Sequence, residues 1–549
     1  MQANRFSRLI AGVFCCLAAS AAGSAAQSPA DRADPSVIED ELRDAMPSSA
    51  PVSFAAPARA PQSDVIAAGA SMTIGAIRVD GATALPPSAF APVAETYAGR
   101  ALGVEELKRL ASDVADVARR AGYGLATAWI PQQRVVNGLL RVRIDEGRID
   151  AIEAEGSAAD IVRRALEPIA DGRPIRTAEL ERRLLLAGDI AGVRIGKPKL
   201  VRRGERSILL VTAARDRIAG RAQIDNWGTG TVGPVRLQLS ADVSGLLAED
   251  DRLSVGGVVT PLQPNEFGLL RIEYTKPVGV HGTEISLGGY AARSRPGAEL
   301  SGFDYRGRSF EASASIRHPF ARSRAASLWG ELKVAVRDAE QTRSDVLVRD
   351  DRLATLTASA IAAGKVGEGR GRARISLVQG LGVFGATGRS DPLASRPDAS
   401  GRFSKLEVWA HYDAPLGAGF SIQAQGEGQI ATRPLLSSEE MGLGGRSFLR
   451  GYDYRERSGD KGAAAAIELR RDFGAIAEPL SALQLYLYAD AGSVGNYDDG
   501  SGGGTLASGG GGMRLRFGPA LDLGGEIGVP IGDDDEKGPR FSFTIGSRF

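Results

Sequence analysis

The chain has 549 residues, and 67 Lys+Arg stand against 66 Asp+Glu for a formal net charge of +1. That balance removes a global basic surface as a basis for nucleic-acid binding. Three His and two Cys nearly exclude a Cys/His metal site, while 70 Gly, 24% charged residues and no long apolar run after the N-terminus fit a turn-rich β protein.

The N-terminal segment reads as an address. Arg5 and Arg8 precede an apolar stretch from Leu9 to Ala22, and Ser24-Ala25-Ala26 offers a small-residue cleavage site. Residues 1–26 are therefore expected to be a secretory signal peptide, with an apolar run too short to span a bilayer comfortably. Cys15 and Cys16 both lie in it, so no disulfide or thiol chemistry is expected in the exported chain. Residues 27–70 are rich in Ala, Pro and Ser and read as a tether. Within it Pro35 suits a first helical position, Ile38, Leu42 and Ala45 share a face, and Pro47 stops the run. The resulting helix, 36–46, reads equally as a transient turn of a mobile tail and as a docked functional element.

Two small α/β modules follow, expected at 71–148 and 149–216. In the first, alternation predicts a strand over Met72–Asp80, and a short helix is expected around Pro87–Tyr97. Leu107, Leu110, Val114 and Val117 mark a helix over Val104–Arg120, and strands follow at Leu125–Ile130 and Leu139–Ile149, with a turn at Asn137-Gly138. The second repeats the order: a strand over Ile149–Glu155, helices over Asp160–Leu166 and Thr177–Leu186 with Thr177 as cap, and strands over Val193–Val201 and Ser207–Ala213. This strand-helix-helix-strand-strand order resembles a POTRA domain. Gly122-Tyr123, Ile130-Pro131-Gln132-Gln133, Asn137-Gly138-Leu139-Leu140-Arg141-Val142 and Glu146-Gly147 resemble the first POTRA domain of two-partner secretion transporters. The resemblance implies substrate binding by Tyr123, Pro131, Gln132, Asn137 and Gly138. Leu180-Glu181-Arg182, Asp189-Ile190 and Gly192-Val193 resemble the second, with Ala191 where Pro is usual. The open edge of a small sheet can accept an extended chain through backbone hydrogen bonds.

From 217 to 549 helical periodicity gives way to alternation. It is clearest at the end, where Phe541, Phe543, Ile545 and Phe549 alternate with Ser542, Thr544, Gly546 and Arg548. A lipid-facing band opposite a polar lumen produces this pattern. Sixteen such segments, from 218–227 to 539–549, predict a transmembrane β-barrel of 16 antiparallel strands. The even count puts both barrel ends on one side of the membrane. The fold class is thus α+β POTRA modules followed by that barrel. A terminal Phe549 resembles the signal read by the bacterial barrel-assembly machinery.

The densest motif lies between the eleventh and twelfth strands. Met441-Gly442-Leu443-Gly444-Gly445-Arg446-Ser447-Phe448-Leu449-Arg450-Gly451-Tyr452, followed by Gly459-Asp460-Lys461-Gly462, resembles the inward-folded loop of the POTRA-barrel transporters, with Leu449 where Val is common. Tyr488-Ala489-Asp490-Ala491-Gly492 resembles their aromatic-x-Asp-x-Gly strand motif. The resemblance implies that the loop, 441–462, reaches into the lumen and that Arg450 pairs with Asp490. A charge held in a narrow lumen needs such a partner. Gly444, Gly445 and Gly451 would let the backbone turn and pass the wall, Tyr452 would stack beside the tip, and Gly492 completes the strand motif. Asp225-Asn226-Trp227-Gly228 resembles the family's first barrel hairpin.

Other chemistry is weakly signalled. Gly502-Gly503-Gly504 and Gly509–Gly512 suggest a phosphate cradle, but no Gly-Lys-Ser/Thr follows. Asp533-Asp534-Asp535-Glu536 reads as a solvated loop. His281, His318 and His411 are scattered, and no nucleophile elbow is present. No catalytic, cofactor or metal site is expected. The expected function is an outer-membrane pore that recognises an unfolded partner polypeptide in the periplasm and secretes it. By resemblance that partner is a large adhesin- or haemolysin-like β-helical protein. The loop and the helix are expected to obstruct the resting channel, and folding of the partner outside would rectify its passage. Outer-membrane lipid and the assembly machinery are further expected partners, nucleic acid is not. The alternative is a factor that inserts other barrels; an enzyme is not expected.

Overall fold

The computed structural model describes residues 32–42, 72–204, 206–498, 500–532 and 538–549. The expected signal peptide, most of the tether, residues 43–46 of the expected helix and the acidic run at 533–536 lie outside them. The chain forms two compact units, one comprising the barrel with the N-terminal helix, the other the two α/β modules.

Helix α1 (Pro35–Leu42) is short and opens on Pro35, whose missing N–H belongs to a position that is unpaired in any case. The Asp34 carboxylate accepts from the Ser36 backbone N–H (2.9 Å) and hydroxyl (2.7 Å), capping the first turn.

The first module comprises β1 (Met72–Ile74), β2 (Ala76–Asp80), a 3₁₀ turn (Pro87–Phe90), α2 (Ala91–Tyr97), β3 (Arg100–Leu102), α3 (Val104–Arg120), β4 (Thr127–Trp129) and β5 (Leu139–Asp145). The single strand expected over 72–80 is broken at Gly75. Its first half pairs with β3, and its second joins a sheet of order β2-β5-β4. Leu107, Leu110 and Val114 of α3 pack on Leu140, Val142 and Ile144, the inward positions of β5. The buried Glu146 carboxylate accepts from the backbone N–H groups of Thr83, Ala84 and Leu85, satisfying a loop that would otherwise leave three donors orphaned.

The second module holds β6 (Ala151–Glu155), α4 (Ala159–Leu166), α5 (Thr177–Asp189), β7 (Val193–Ile195), β8 (Lys199–Arg203) and β9 (Arg206–Arg215), with β6, β7 and β8 all pairing to the long β9. Thr177 does not cap α5. Its hydroxyl instead donates to the Gly122 carbonyl (3.2 Å) and accepts from the Gly124 N–H (2.9 Å), tying the two modules together.

The remaining strands are β10 (Ile218–Asp225), β11 (Arg236–Ser244), β12 (Arg252–Val259), β13 (Phe267–Val278), β14 (Thr283–Ser294), β15 (Tyr305–Arg322), β16 (Ala326–Arg343) and β17 (Val346–Val366). Next come β18 (Gly369–Gly380), β19 (Ser404–Gly417) and β20 (Phe420–Ala431), then a loop with its own hairpin, β21 (Met441–Leu443) and β22 (Arg457–Gly459). The chain ends with β23 (Lys461–Asp472), β24 (Leu480–Gly495), β25 (Gly504–Phe517), β26 (Leu521–Ile531) and β27 (Arg540–Arg548). Apart from β21 and β22, these strands close into one antiparallel barrel, sixteen among the described residues. Closure leaves no unpaired edge, which a strand in lipid could not tolerate. The seam pairs β10 with β27 from Arg221↔Arg548 to Asp225↔Thr544. At its outer end the Asn226 amide donates to the Phe541 carbonyl and accepts from the Phe543 N–H. At its inner end Gly220 and Phe549 exchange backbone hydrogen bonds. Along β27, Phe541 and Phe543 are 67% and 38% exposed while Ser542 between them is buried. That outward apolar series belongs against lipid.

Candidate functional site

The loop between β20 and β23 folds into the barrel, and each part of it is held by a different device. At its root Arg396, from the loop after β18, donates to Glu440 (2.8 Å), Asp460 (2.9 Å) and Asp398 (2.8 Å). Burial alone would lower the Arg396 pKa. The carboxylates of Asp398, Glu440 and Asp460 outweigh it and hold the guanidinium above its ordinary range. Asp460 is fully buried and accepts from the N–H groups of Leu435 (2.7 Å) and Tyr497 (2.8 Å). Arg455, also buried, donates to the Ser437 carbonyl (2.7 Å). The hairpin of β21 and β22 then carries the chain to a tip at 444–456.

The tip turns because its backbone takes conformations that most side chains resist. Gly444 and Gly445 have φ of 110° and 100°, and Leu449 itself sits at φ 60°. Gly451 is needed for a different reason. A Cβ there would lie about 3.0 Å from Pro530 N, Ser508 Cβ and Val529 C, so the tip approaches the wall of β25 and β26 more closely than any larger residue allows.

Arg450 points from this tip into a pocket of charge. Its Nε donates to Asp490 Oδ2 (3.2 Å), its Nη1 to Glu468 Oε1 (2.6 Å), and its backbone N–H also reaches Asp490 (3.3 Å). The guanidinium lies 3.4 Å from the centroid of the Tyr488 ring, a cation–π contact. The second Asp490 oxygen accepts from the Ser508 hydroxyl, which in turn accepts from the Gly451 N–H (3.2 Å). Arg470 and Arg514 also bind Glu468, and Glu526 takes the Tyr486 hydroxyl (2.6 Å). Three carboxylates (Glu468, Asp490, Glu526) thus face three arginines, which is what burial of so many charges demands. Tyr452 is buried beside Leu443, Phe448 and Leu449. Its carbonyl accepts from Arg540 of β27, whose guanidinium also pairs with Asp453 (3.0 Å) and lies over the ring of Trp227 in the first hairpin. Asp225 before it is buried and receives Arg236 (2.9 Å) and the Trp227 N–H (3.1 Å).

Of the residues singled out in the sequence, Arg450, Gly451, Tyr452, Asp490 and Gly492 converge here, and Gly444 and Gly445 form the neck. A Cβ at Gly492 would meet Leu443 and Ala464. Glu468, Ser508, Tyr488, Glu526, Arg470, Arg514 and the Arg396 clamp had no motif to mark them. The glycine run at 509–512 is part of the same packing, since Cβ atoms at Gly510 and Gly512 would strike the hydroxyls of Tyr488 and Tyr486.

Helix α1 lies within the barrel against the tip. Asp34 pairs with Arg349 of β17 (3.3 Å), Glu39 with Arg271 of β13, and Arg32 with Glu456 of the tip (3.2 Å). The Tyr454 hydroxyl donates to the Val37 carbonyl (2.9 Å). Ala33 and Ile38 pack on Val258, Phe267, Leu269 and Tyr290, inward residues of β12–β14. In the first α/β module, Asn137 (φ 54°) and Gly138 (φ 70°) make the turn, Gln132 and Asn137 are exposed, and Pro131 is half-buried. Tyr123 is buried in the module core with Arg176 over its ring.

The family described as haemolysin secretion/activation protein ShlB/FhaC/HecB matches residues 204–515, and the POTRA domain of ShlB type matches 72–147. The heme/hemopexin transporter protein HuxB of Haemophilus influenzae is 22% identical over 69% of this chain and 68% of its own. The outer membrane transporter CdiB of Escherichia coli is 24% identical over 83% of this chain and 79% of its own. The solved structure of CdiB from Escherichia coli superposes with a TM-score of 0.74 at 20% identity, covering 96% of this chain and all of that one.

Proposed function

The chain belongs to the haemolysin secretion/activation family, whose members are outer-membrane transporters working with a secreted partner, and from that premise we propose how this barrel moves its own partner. It is a two-partner secretion pore of the outer membrane, with POTRA modules on the periplasmic side. The observation that carries the mechanism is the double occupation of the lumen by α1 and the Arg450 tip. In the resting state both obstruct the channel. An unfolded partner, adhesin- or haemolysin-like, first adds to an open sheet edge of the POTRA modules, near Tyr123, Pro131, Gln132, Asn137 and Gly138. Release of the Asp34–Arg349 and Glu39–Arg271 pairs lets α1 leave. These pairs face water once the helix moves, so their loss is partly compensated by solvation. Arg450, Gly451, Tyr452, Gly444, Gly445, Asp490 and Gly492 hold or hinge the loop while the partner passes extended. Phe549 serves as the assembly signal at the seam. The protein performs no catalysis.

The test is co-expression with a candidate partner, a long exported β-repeat polypeptide. Export requires that the partner appear in the medium only when this chain is present. If the partner stays inside while other outer-membrane barrels fail to fold on depletion of this chain, it is an insertion factor instead.

A further inference from the structure

On the outer face of the barrel, at its extracellular end, a cavity of about 730 Å³ opens among β13, β14, β15 and β16. Arg293 of β14 and Arg308 of β15 line it, and the strand register sets these two residues directly opposite each other. Both side chains are exposed, and among the described residues neither has an ion-pair or hydrogen-bond partner. Like charges directly opposed across a strand pair are destabilising, with Cβ atoms about 4.5–5.5 Å apart. Two carboxylates, Asp338 and Glu340, also line the cavity, and neither comes within ion-pair distance of Arg293 or Arg308. Asp338 is engaged by Arg352 (3.3 Å), which also takes Asp350 (3.1 Å).

The position matters as much as the charge. Toward the middle of the barrel the same outward rows become apolar, with Leu270 51% and Phe310 55% exposed in the cavity wall, then Ile272, Leu287 and Ile316 beyond. The arginine pair therefore stands where the hydrocarbon band meets the outer-leaflet headgroups. Two guanidiniums side by side match a phosphate bidentately, and the apolar wall beneath matches an acyl chain.

We propose that Arg293 and Arg308 bind the phosphate of an outer-leaflet phosphorylated lipid, whose acyl chain lies along Leu270 and Phe310. The site is separate from the lumen and its occupancy is independent of export. Bound lipid neutralises the paired guanidiniums and anchors the β13–β16 wall in the outer leaflet.

The experiment uses the purified full-length chain in detergent, titrated with lipid A that carries or lacks its phosphates and read by native mass spectrometry. Wild type should retain phosphorylated lipid A and lose the dephosphorylated form. Arg293→Gln/Arg308→Gln should lower retention by about tenfold or more, with heat-modifiable electrophoretic mobility verifying its fold. Equal retention of the two lipids by wild type overturns the proposal whether or not the double variant folds. Unchanged retention by a folded double variant also overturns it. A third arm adds inorganic phosphate: complete displacement at equal phosphate concentration marks a free-anion site and overturns the lipid assignment, whereas persistence of the lipid supports it.

Discussion

Glu468 binds three arginines at once: Arg450 at 2.6 Å, Arg470 at 2.7 Å and Arg514 at 3.1 Å. Glu468→Gln removes the shared charge: Arg514 then keeps no ion-pair partner among the described residues, Arg450 keeps Asp490, and Arg470 keeps Asp413 (3.1 Å). Breaking such a pair costs about 3–5 kcal/mol where burial is complete. The expected outcome is a barrel that unfolds at clearly lower temperature, read as the shift from folded to unfolded mobility on electrophoresis. An unchanged transition would show that lumen water already solvates the cluster. The sequence made Arg450 and Asp490 legible because each sits in a dense, glycine-flanked motif. Glu468, Ser508 and Glu526 were not legible because a single inward polar residue of an alternating strand looks like any other. The Gly509–Gly512 run was visible, but its reason lies with Tyr486 and Tyr488, which only the strand register brings opposite it.

Helix α1 illustrates what an element can and cannot announce. Proline at its start and the spacing of Ile38 and Leu42 were sufficient to predict a helix, but eight residues are too few to be stable alone. What orders it is tertiary: Asp34 on Arg349, Glu39 on Arg271 and Ile38 in the inner wall, none of which local sequence specifies. Deleting residues 35–47 is expected to raise the ionic conductance of the barrel in planar bilayers above wild type. Equal conductance would remove any plug role for the helix. Barrel strands were easier, since period-two alternation is enforced on every strand by lipid on one side and lumen on the other. The break at Gly75 and the position of Thr177 at the junction of the two α/β modules follow from long-range pairing that neither alternation nor capping rules encode.

At the scale of the molecule, a closed sheet, an inserted loop and a lumenal helix share one set of charges. Arg540 of the last strand joins the tip backbone to Trp227 of the first hairpin, so the loop is fastened close to the seam as well as to β24. The alternation foretold the closed sheet of sixteen strands. The Arg396 clamp and the arginine pair outside the barrel emerged only when strands distant in sequence were set in register. We propose that the Arg450 contact with Asp490 keeps the loop competent for export. Its most direct test is the amount of partner released into the medium by cells carrying Arg450→Ala, at equal levels of folded barrel in the outer membrane. Release should be abolished or sharply reduced with the barrel still inserted; release at the wild-type level would show that export does not depend on this contact.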